Sequence, residues 1–398
     1  MEIYDPTEAE HVSGLPFDTL TRMARCFPVS AIVSLRQNQV AEFSRPQRTG
    51  DKLGFEILPA EGEGDKQKIS EVNSFFETCG TGNIAFSLFL KTIVRDSLIY
   101  DQACFEIIKN RGGKTVGMVP LDSTSIRRRK PTEEEKEQGE LDPNSVWFIQ
   151  KQKNSVVAEF GRDDLCFGVR RPRTDLAYSG YGHPELEELV QVVTRLLQCE
   201  EHNAQTFAAG STANYLIAIK SKMAPSLFRT FRRDWAKMLA SSNRNKTPMI
   251  QLDPDGHEGV ETHALKNRHD NSVGFQEWTS YLLKVACATY CTDPAELGFN
   301  FIGEGLDRAL HSPGPGEKIL ASKEKGLRPI LRSIESWFNL SLMPQLAPGY
   351  LFRFCGLDAL SQGEALDMDL KRLRFMTINE VRDLRGLPPI EGGDKLEV

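Results

Sequence analysis

The segment from Asn271 to Asn339 constrains the fold most, because it reads as two amphipathic helices joined by a glycine- and proline-rich break. Apolar residues recur at intervals of three and four along the first helix, at Phe275, Trp278, Leu282 and Val285. The Asp293-Pro294 pair ends or bends this helix, because proline disfavours helical geometry at the residue before it. Few residues between 298 and 316 favour a regular element, so this stretch is predicted to be a loop.

The second helix, Glu317–Asn339, carries opposite chemistry on its two faces. Its apolar face holds Leu327, Ile330, Leu331, Ile334, Trp337 and Phe338. At the helical repeat Lys318, Lys325 and Arg332 lie on the other face, with Arg328 beside them. Pro329 predicts a kink. A basic stripe of this kind is most often simply a solvated helix face.

Length and charge set broad limits on the chain. Its 398 residues are enough for two or three domains, and 40% apolar with 26% charged residues is typical of a soluble globular protein. The net charge of −6 argues against tight duplex binding over the whole surface, because free nucleic-acid binders usually show a basic excess. A local basic track remains compatible with it.

Cysteine usage and the N-terminus indicate an intracellular protein. Eight cysteines without a C-x-x-C pair read as reduced thiols. Cys287 and Cys291 lack nearby metal-ligand candidates, so core packing is the better interpretation. The acidic stretch Met1–Asp5 predicts no signal peptide, and no apolar run approaches the ~20 residues of a membrane span.

Residues 20–180 alternate helical and strand patterns, which predicts a mixed α+β domain. Helices are predicted at Pro28–Phe43, Ile69–Glu77 and Ile84–Leu98. The inward face of the first of them contains Val29, Ile32, Val33, Arg36 and Val40. Strands are predicted at Leu53–Leu58, Gln102–Lys109, Thr115–Leu121, Val146–Gln150, Val156–Phe160 and Leu165–Val169, the second and third forming a hairpin.

A small α/β insertion, 211–266, lies between two long predicted helices, Glu185–Ala209 and 271–292. An insertion on two helical arms is expected to project as a lobe. Its central helix, Pro225–Leu239, is predicted to turn Leu227, Phe231, Trp235 and Met238 inward and Arg229, Arg232, Arg233 and Lys237 outward. A basic loop with Arg244 and Lys246 follows. These cations indicate either a solvated face or a surface for an acidic partner or DNA.

No catalytic, metal or cofactor motif emerges from the sequence. Gly112-Gly113-Lys114-Thr115 closes a hairpin instead of opening a helix, so it is not a phosphate loop. Neither H-E-x-x-H nor G-x-S-x-G occurs. His257, His263 and His269 are six residues apart, which does not place them on one helical face. We therefore expect no enzyme activity and no cofactor.

Five motifs in order resemble the portal proteins of tailed double-stranded-DNA bacteriophages. They are Pro28-Val29-Ser30-Ala31, the 101–129 hairpin with Pro120-Leu121-Asp122, Gly180-Tyr181-Gly182-His183-Pro184, the helix–loop–helix at 271–338 and the tail at 377–394. The resemblance covers nearly the whole chain. It implies an α+β portal fold with an α/β wing, long stem helices, a small α/β clip, a tunnel loop with a long kinked helix, and a short helical crown.

The resemblance also implies a domain order. It gives an N-terminal arm at 1–19, the wing at 20–184, stem helix 1 at 185–210, the clip at 211–270, stem helix 2 at 271–297, the tunnel loop at 298–316, the long kinked helix and following segment at 317–357, and the crown and tail at 358–398.

A portal function follows from the resemblance. Such proteins form a homo-oligomeric ring, of twelve subunits in this expectation, at one vertex of the capsid in the virion. The ring conducts double-stranded DNA without sequence specificity during packaging and ejection. It docks the large terminase subunit and then the head–tail adaptor or neck protein, and it contacts major capsid and scaffold proteins. It would be made in the bacterial host cytoplasm, with no membrane partner.

Specific residues are implied for these roles. Expected tunnel-loop contacts to DNA are Phe301, Ile302, Glu304, Arg308 and His311. The long helix would contribute Lys318, Lys325, Arg328 and Arg332 to the channel. The clip would present Arg229, Arg232, Arg233, Lys237, Arg244 and Lys246 to partners.

Two other functions remain open at this point. One is an unrecognised enzyme of nucleic-acid metabolism, with 298–316 as an active-site lid. The other is a non-conducting virion adaptor protein with the same long helices. An assembled ring with an open axial hole would distinguish a portal from both.

Overall fold

The computed structural model divides the chain into two compact units, Val190–Ala286 and the combination of Met1–Leu189 with Cys287–Val398. It describes residues 14–47, 52–62, 64–129, 146–152, 155–175, 178, 180–209, 215–220, 224–239, 249–252, 259–264, 272–299, 315–357, 369–373, 376–384, 388–390 and 392–394.

The larger unit, formed by the two outer stretches of chain, begins with four helices and one strand. These are α1 Phe17–Met23, α2 Phe27–Ala41, β1 Gly54–Pro59, α3 Lys66–Thr78 and α4 Phe86–Tyr100. The three helices predicted in this region are confirmed, and α1 is an addition. Asp65 caps α3 by accepting a hydrogen bond from the Gln67 backbone N–H at 2.9 Å. Helix α4 ends at Asp101 in the left-handed conformation, with φ 49°.

Two three-stranded antiparallel sheets follow. Their strands are β2 Ala103–Lys109, β3 Thr115–Pro120, β4 Ile126–Arg128, β5 Phe148–Gln152, β6 Ser155–Phe160 and β7 Leu165–Gly168. The sheet orders are β3-β2-β7 and β4-β5-β6. The predicted hairpin is confirmed, with Ile107 opposite Met118. Its turn is held by Asn110, whose side chain accepts hydrogen bonds from the Gly112 and Lys114 backbone N–H groups, both at 3.0 Å.

The predicted long helix at 185–209 is interrupted, contrary to expectation. It consists of α5 Glu185–Glu188 and α6 Val190–Ala209, separated by Leu189 with φ −90° and ψ 2°. Pro184 and three carboxylates in the first turn suit a helix start, because acidic side chains favour the positive end of the helix dipole. The interruption coincides with the boundary between the two units.

The smaller unit contains a mixed three-stranded sheet. In chain order after α6 come β8 Tyr215–Lys220, α7 Pro225–Leu239, β9 Met249–Leu252, β10 Gly259–Ala264 and α8 Ser272–Thr289, whose last residues belong to the larger unit. Strand β8 is central, pairing antiparallel with β10 and parallel with β9. The bounds predicted for α7 are confirmed.

The larger unit closes with a long interrupted helix and a strand. Helices α9 Pro315–Ser322, α10 Arg328–Trp337 and α11 Met343–Leu346 are joined by π-helical turns at Lys323–Leu327 and Phe338–Leu342. Strand β11 Tyr350–Cys355 then pairs antiparallel with β1, placing Phe55 opposite Phe354. A helical stretch at 369–372 and α12 Ile378–Leu384 come last.

A phenylalanine cluster forms the core of the larger unit and joins both outer stretches of chain. Its members are Phe55, Phe76, Phe86, Phe89, Phe105, Phe338 and Phe352, each buried. Phe55 stacks on Phe352 with ring centroids 5.1 Å apart, and Phe338 meets Phe105 edge-on at 5.7 Å. Aromatic pairs of this kind add stability beyond the area they bury. The cluster therefore fixes the second π-turn against α4 and β1.

Candidate nucleic-acid and partner surfaces

The two faces predicted for the long helix separate as expected. Its six apolar residues, from Leu327 to Phe338, are all buried. On the other side Lys318, Lys325 and Arg332 are exposed. Within the described part of the chain, Lys318 and Lys325 form no ion pair.

Arg328 differs from the other cations of the stripe. Its guanidinium donates two hydrogen bonds of 2.7 Å to the Glu324 carboxylate, one from Nε and one from Nη2. The Arg328 side chain is 22% exposed. Such an i,i+4 pair neutralises the charge locally, so Arg328 contributes less to an anion surface than the sequence predicts.

Arg332 lies near a partly buried acid, Glu335. Burial raises the pKa of Glu335, while the charges of Arg332, Arg353 and Arg328 and a 2.6 Å hydrogen bond from the Phe354 backbone N–H oppose that rise. The positive charge of Arg332 therefore interacts with the Glu335 carboxylate on its own helix.

A π-turn changes the register of the predicted stripe. The turn at Lys323–Leu327 lies between Lys318 and Arg332 and holds about one residue more than an α-turn. The seven-residue spacing from Lys318 to Lys325 is therefore not two α-helical turns. The sequence predicted a disturbance at Pro329; the disturbance precedes it, and Pro329 lies in the first turn of α10, where a missing N–H is tolerated.

The predicted loop contacts cannot be compared with this helix. Phe301, Ile302, Glu304, Arg308 and His311 all lie outside the described residues. The 3₁₀ turn Pro294–Leu297, followed by Gly298 and Phe299, precedes segment 300–314. Helix α9 follows that segment.

Helix α7 of the smaller unit presents its arginines as predicted. Arg229, Arg232 and Arg233 are exposed. Arg233 lies 3.7 Å from its neighbour Asp234, with both side chains more than half exposed, so the pair is weak. Lys237 belongs to α7, but its side chain, like residues Arg244 and Lys246, lies outside the described part.

The inward apolar face predicted for α7 is wrong at two positions. Leu227 is 61% exposed and Phe231 is 42% exposed. A small unit has a high ratio of surface to volume and cannot cover every apolar side chain. The Trp235 and Met238 side chains are outside the described residues.

A buried charge cluster explains the motif Gly180-Tyr181-Gly182-His183-Pro184. The Asp101 carboxylate accepts hydrogen bonds from the backbone N–H groups of Arg170, Arg171 and His183, at 3.0, 2.9 and 2.9 Å. A Cβ on Gly182 would lie 2.1 Å from the Asp101 carboxylate, so only glycine fits. Burial raises the pKa of Asp101 to about 6, with the Arg170 charge opposing the shift.

Arg170 extends this cluster to the start of helix α5. Its Nη2 donates to both carboxylate oxygens of Glu185, at 2.7 and 2.8 Å, and to the Ser97 carbonyl oxygen at 2.9 Å. The guanidinium thus holds the end of α4 and the start of α5 together. Sequence analysis identified the glycine motif but not the charges behind it.

A second buried arginine, Arg36, joins α2 to the turn after α8. Its Nη2 donates to the Cys291 carbonyl oxygen at 3.0 Å and to Thr292 Oγ1 at 2.9 Å. Its Nη1 lies 3.3 Å from Glu296 Oε2, and both side chains are almost fully buried. The only signal in the sequence was an arginine on the apolar face of a helix, which requires a buried acceptor.

Comparison with known proteins decides the family. No protein-family model matches the chain. It is similar to the probable portal protein of Staphylococcus phage Twort, with 30% identity over 388 residues that cover 92% of this chain and 66% of that protein. It is 30% identical over 393 residues to the probable portal protein of Enterococcus phage phiEF24C, covering 94% of this chain and 67% of that protein. The chain belongs to the bacteriophage portal protein family.

The chain spans about two thirds of the length of these portal proteins. Portal proteins are structural proteins, so the enzyme hypothesis is set aside. Among the described residues, no helix could cross a membrane, and no group of His, Cys, Asp and Glu could hold a metal ion.

Solved structures share the fold. A chain in the neck of an empty gene transfer agent particle, computed with C6 symmetry, gives a TM-score of 0.64 at 15% identity, covering 94% of this chain and 95% of that one. The neck of the native particle, computed with C12 symmetry, gives 0.62 at 13% identity with the same coverage. The predicted α+β portal fold is confirmed.

Proposed function

We propose that this chain is the subunit of a ring at one vertex of a phage capsid, with a central channel through which DNA enters and leaves. The observation that carries the proposal is the 30% identity to two phage portal proteins over nearly the whole chain. Placement in the virion follows from the same similarity.

A ring of twelve copies is part of the proposal. The solved necks that share this fold were computed with C12 and C6 symmetry. Cyclic symmetry repeats each surface residue around the axis, so one exposed lysine becomes a belt of identical charges. A closed ring therefore makes a channel surface out of side chains that are isolated in a single chain.

The proposed channel surface consists of segment 298–316 and the basic face of the long helix. Lys318, Lys325 and Arg332 are exposed, which supports contact with phosphate. Their small number also suits DNA passage, because each phosphate contact releases counterions and adds affinity. Many such contacts would hold the DNA in place, whereas a channel surface with few cations, on a chain of net charge −6, lets it slide.

The proposed docking surface is the clip, residues 211–270, with residues 185–210 and 271–297 as the stem. The compact unit Val190–Ala286 contains the clip together with most of the first stem segment and part of the second, which supports treating them as one part of the subunit. The exposed Arg229, Arg232 and Arg233 offer positive charge to an acidic surface of the large terminase subunit during packaging, and then of the head–tail adaptor. The wing and crown, 20–184 with 317–398, would meet capsid and scaffold proteins.

Particle assembly with and without this chain tests the function. Capsid, scaffold and large terminase proteins of the same phage are combined with DNA and ATP, and nuclease-protected DNA per particle is measured. We expect protected DNA only when the chain is present, and no nucleotide hydrolysis by the chain alone. Equal DNA filling without the chain would contradict the proposal.

A further inference from the structure

The two described segments on either side of 300–314 are linked to each other through one carboxylate. Glu296 lies in the 3₁₀ turn that precedes segment 300–314. The two oxygens of its carboxylate bond different parts of the fold. Oε2 accepts from Gln39 Nε2 at 2.6 Å and lies 3.3 Å from Arg36 Nη1, both on α2. Oε1 accepts from the Ser322 hydroxyl, at the end of α9. The carboxylate therefore bridges α2 and the residues after segment 300–314.

Ser322 makes a second link across segment 300–314. Its Oγ accepts a 2.8 Å hydrogen bond from the Asp293 backbone N–H, and the side chain is buried. Because a buried N–H without an acceptor is costly, this bond ties the start of the 3₁₀ turn to the end of α9. One hydroxyl thus serves both a backbone donor and a carboxylate acceptor.

The first π-turn of the long helix is fitted to the same cluster. Gly326 lies within that turn, and a Cβ there would be 2.3 Å from Arg36 Nη2 and 2.4 Å from the Cys291 carbonyl oxygen. A side chain at this position would separate the π-turn from α2. The absence of a side chain lets the long helix pack directly on the guanidinium.

Helix α2 also contacts Phe299, the residue that precedes segment 300–314. Phe27, in its first turn, meets Phe299 edge-on with ring centroids 6.0 Å apart. Helix α2 therefore touches the residues before segment 300–314 at two places, Phe27 and Arg36, which are ~14 Å apart along the helix axis.

We propose that Arg36 and Ser322 are positioning residues that fix the two ends of segment 300–314 on helix α2 at a set separation. The inference rests on the proposed channel function, in which this segment meets DNA. The cluster would hold the two ends of segment 300–314 at the same position along the ring axis in every subunit.

Hydrogen exchange on the purified full chain tests the link, with Ser322→Ala as the main variant. Ser333→Ala is the matched control, because within the described part of the chain Ser333 Oγ bonds only the Pro329 carbonyl oxygen of its own helix, at 2.9 Å. We expect exchange in peptides covering 290–299 to be at least tenfold faster in Ser322→Ala and within twofold of wild type in Ser333→Ala. Equal exchange in both variants would overturn the proposal.

The second exchange measurement uses Arg36→Met and follows hydrogen exchange in residues 318–326, which come after segment 300–314. If both segments share one anchor, exchange at 318–326 rises at least tenfold. Unchanged exchange there in folded Arg36→Met protein would overturn the role of Arg36. Where Arg36→Met does not fold, Arg36→Lys replaces it, and unchanged exchange at 318–326 in Arg36→Lys would overturn the role of Arg36.

A packaging measurement separates this inference from the proposed function. Rings of Ser322→Ala and Ser333→Ala are built into particles, and protected DNA is compared with wild type. We expect at least a fivefold loss for Ser322→Ala only, at normal ring mass. Equal packaging by both variants would contradict the positioning role and leave the portal function intact. A wild-type chain that packages nothing would contradict the function, while the exchange result still reports on the link.

Discussion

Arg36 carries a full charge inside the larger unit, and three of its partners, Cys291, Thr292 and Glu296, lie more than 250 residues away in sequence. Burial lowers the pKa of the guanidinium, and the charge of Glu296 opposes that change. Two ions taken out of water stabilise a fold only when their remaining donors and acceptors are also bonded. Here Gln39, Thr292 and the Cys291 carbonyl oxygen bond both terminal nitrogens of the guanidinium, whereas its buried Nε has no hydrogen-bond partner among the described residues.

Replacing Arg36 by methionine should therefore lower the free energy of unfolding by about 3–5 kcal/mol, because Glu296 would stay buried without a counter-charge. Urea denaturation of the full chain measures this. Arg328→Met is the matched control, since the Arg328 side chain is partly exposed and its partner Glu324 is 52% exposed, so the pair should be worth about 0–1 kcal/mol. Equal losses in the two variants would contradict this account of the cluster.

Asp101 should make stability depend on pH in a definite direction. Its pKa is about 6 in the folded protein, against about 3.9 in an unfolded chain. The folded protein therefore binds this proton more tightly, and the stability it contributes is present below pH ~4 and lost as pH rises through about 6.

Asp101→Asn isolates this effect, because asparagine tolerates the left-handed backbone at this position and does not titrate here. The unfolding free energy of wild type minus that of Asp101→Asn should fall by up to about 3 kcal/mol between pH 4 and pH 7. Denaturant titrations at each pH give the difference. A difference that rises with pH would show that the hydrogen bonds to the carboxylate outweigh its burial.

At the residue scale, the sequence predicts side-chain exposure where it follows from the spacing within one helix. It does not predict the bonding partners of a side chain when those partners are distant in sequence. The exposure of Lys318 and Lys325 was predicted from helical spacing and is confirmed, although a π-turn changes that spacing. The burial of Arg36 was visible as a cation on an apolar stripe, yet its acceptors come from residues 291–296, which no local pattern connects to α2. The pairing of Arg328 with Glu324 was readable from i,i+4 spacing and was overlooked.

At the scale of elements, the π-turn at Lys323–Leu327 is the feature that most changes the predicted surface. It lets Gly326 pack on Arg36 and rotates Lys318 relative to Arg332. Periodicity assumes a uniform repeat, so it could predict the buried face of α10 but not an extra residue within a turn.

Gly326→Ala should destabilise the protein by about 1–3 kcal/mol, because the new methyl group overlaps the Arg36 guanidinium and a backbone carbonyl. Gly259→Ala is the control, since no atom of the described residues lies within 4 Å of a Cβ there. Thermal unfolding of both variants measures the contrast. A neutral Gly326→Ala would mean that the π-turn packs more loosely than the distances indicate.

Several elements depend on pairings that the sequence does not mark. Strand β11 pairs with β1 from the opposite end of the chain, and β10 pairs with β8 across the whole insertion. The interruption at Leu189 occurs inside a continuous apolar repeat, where the preceding turn is held by the Arg170–Glu185 pair. Local patterns give the strands and helices, whereas these contacts depend on the assembled core.

At the scale of the whole molecule, a ring multiplies each exposed charge by the number of subunits. Lys325→Ala should therefore flatten the dependence of DNA binding on salt, measured with assembled rings and double-stranded DNA over a salt series. Lys68→Ala is the control, because Lys68 pairs with Glu71 on α3. Equal salt dependence in wild type and Lys325→Ala would exclude Lys325 from the channel.

Ring formation with an open axial hole is the central claim, and negative-stain imaging of the purified chain with mass measured on the same sample tests it most directly. The account predicts rings with a stain-filled centre and a mass of twelve subunits. A compact closed dimer without a hole would contradict it.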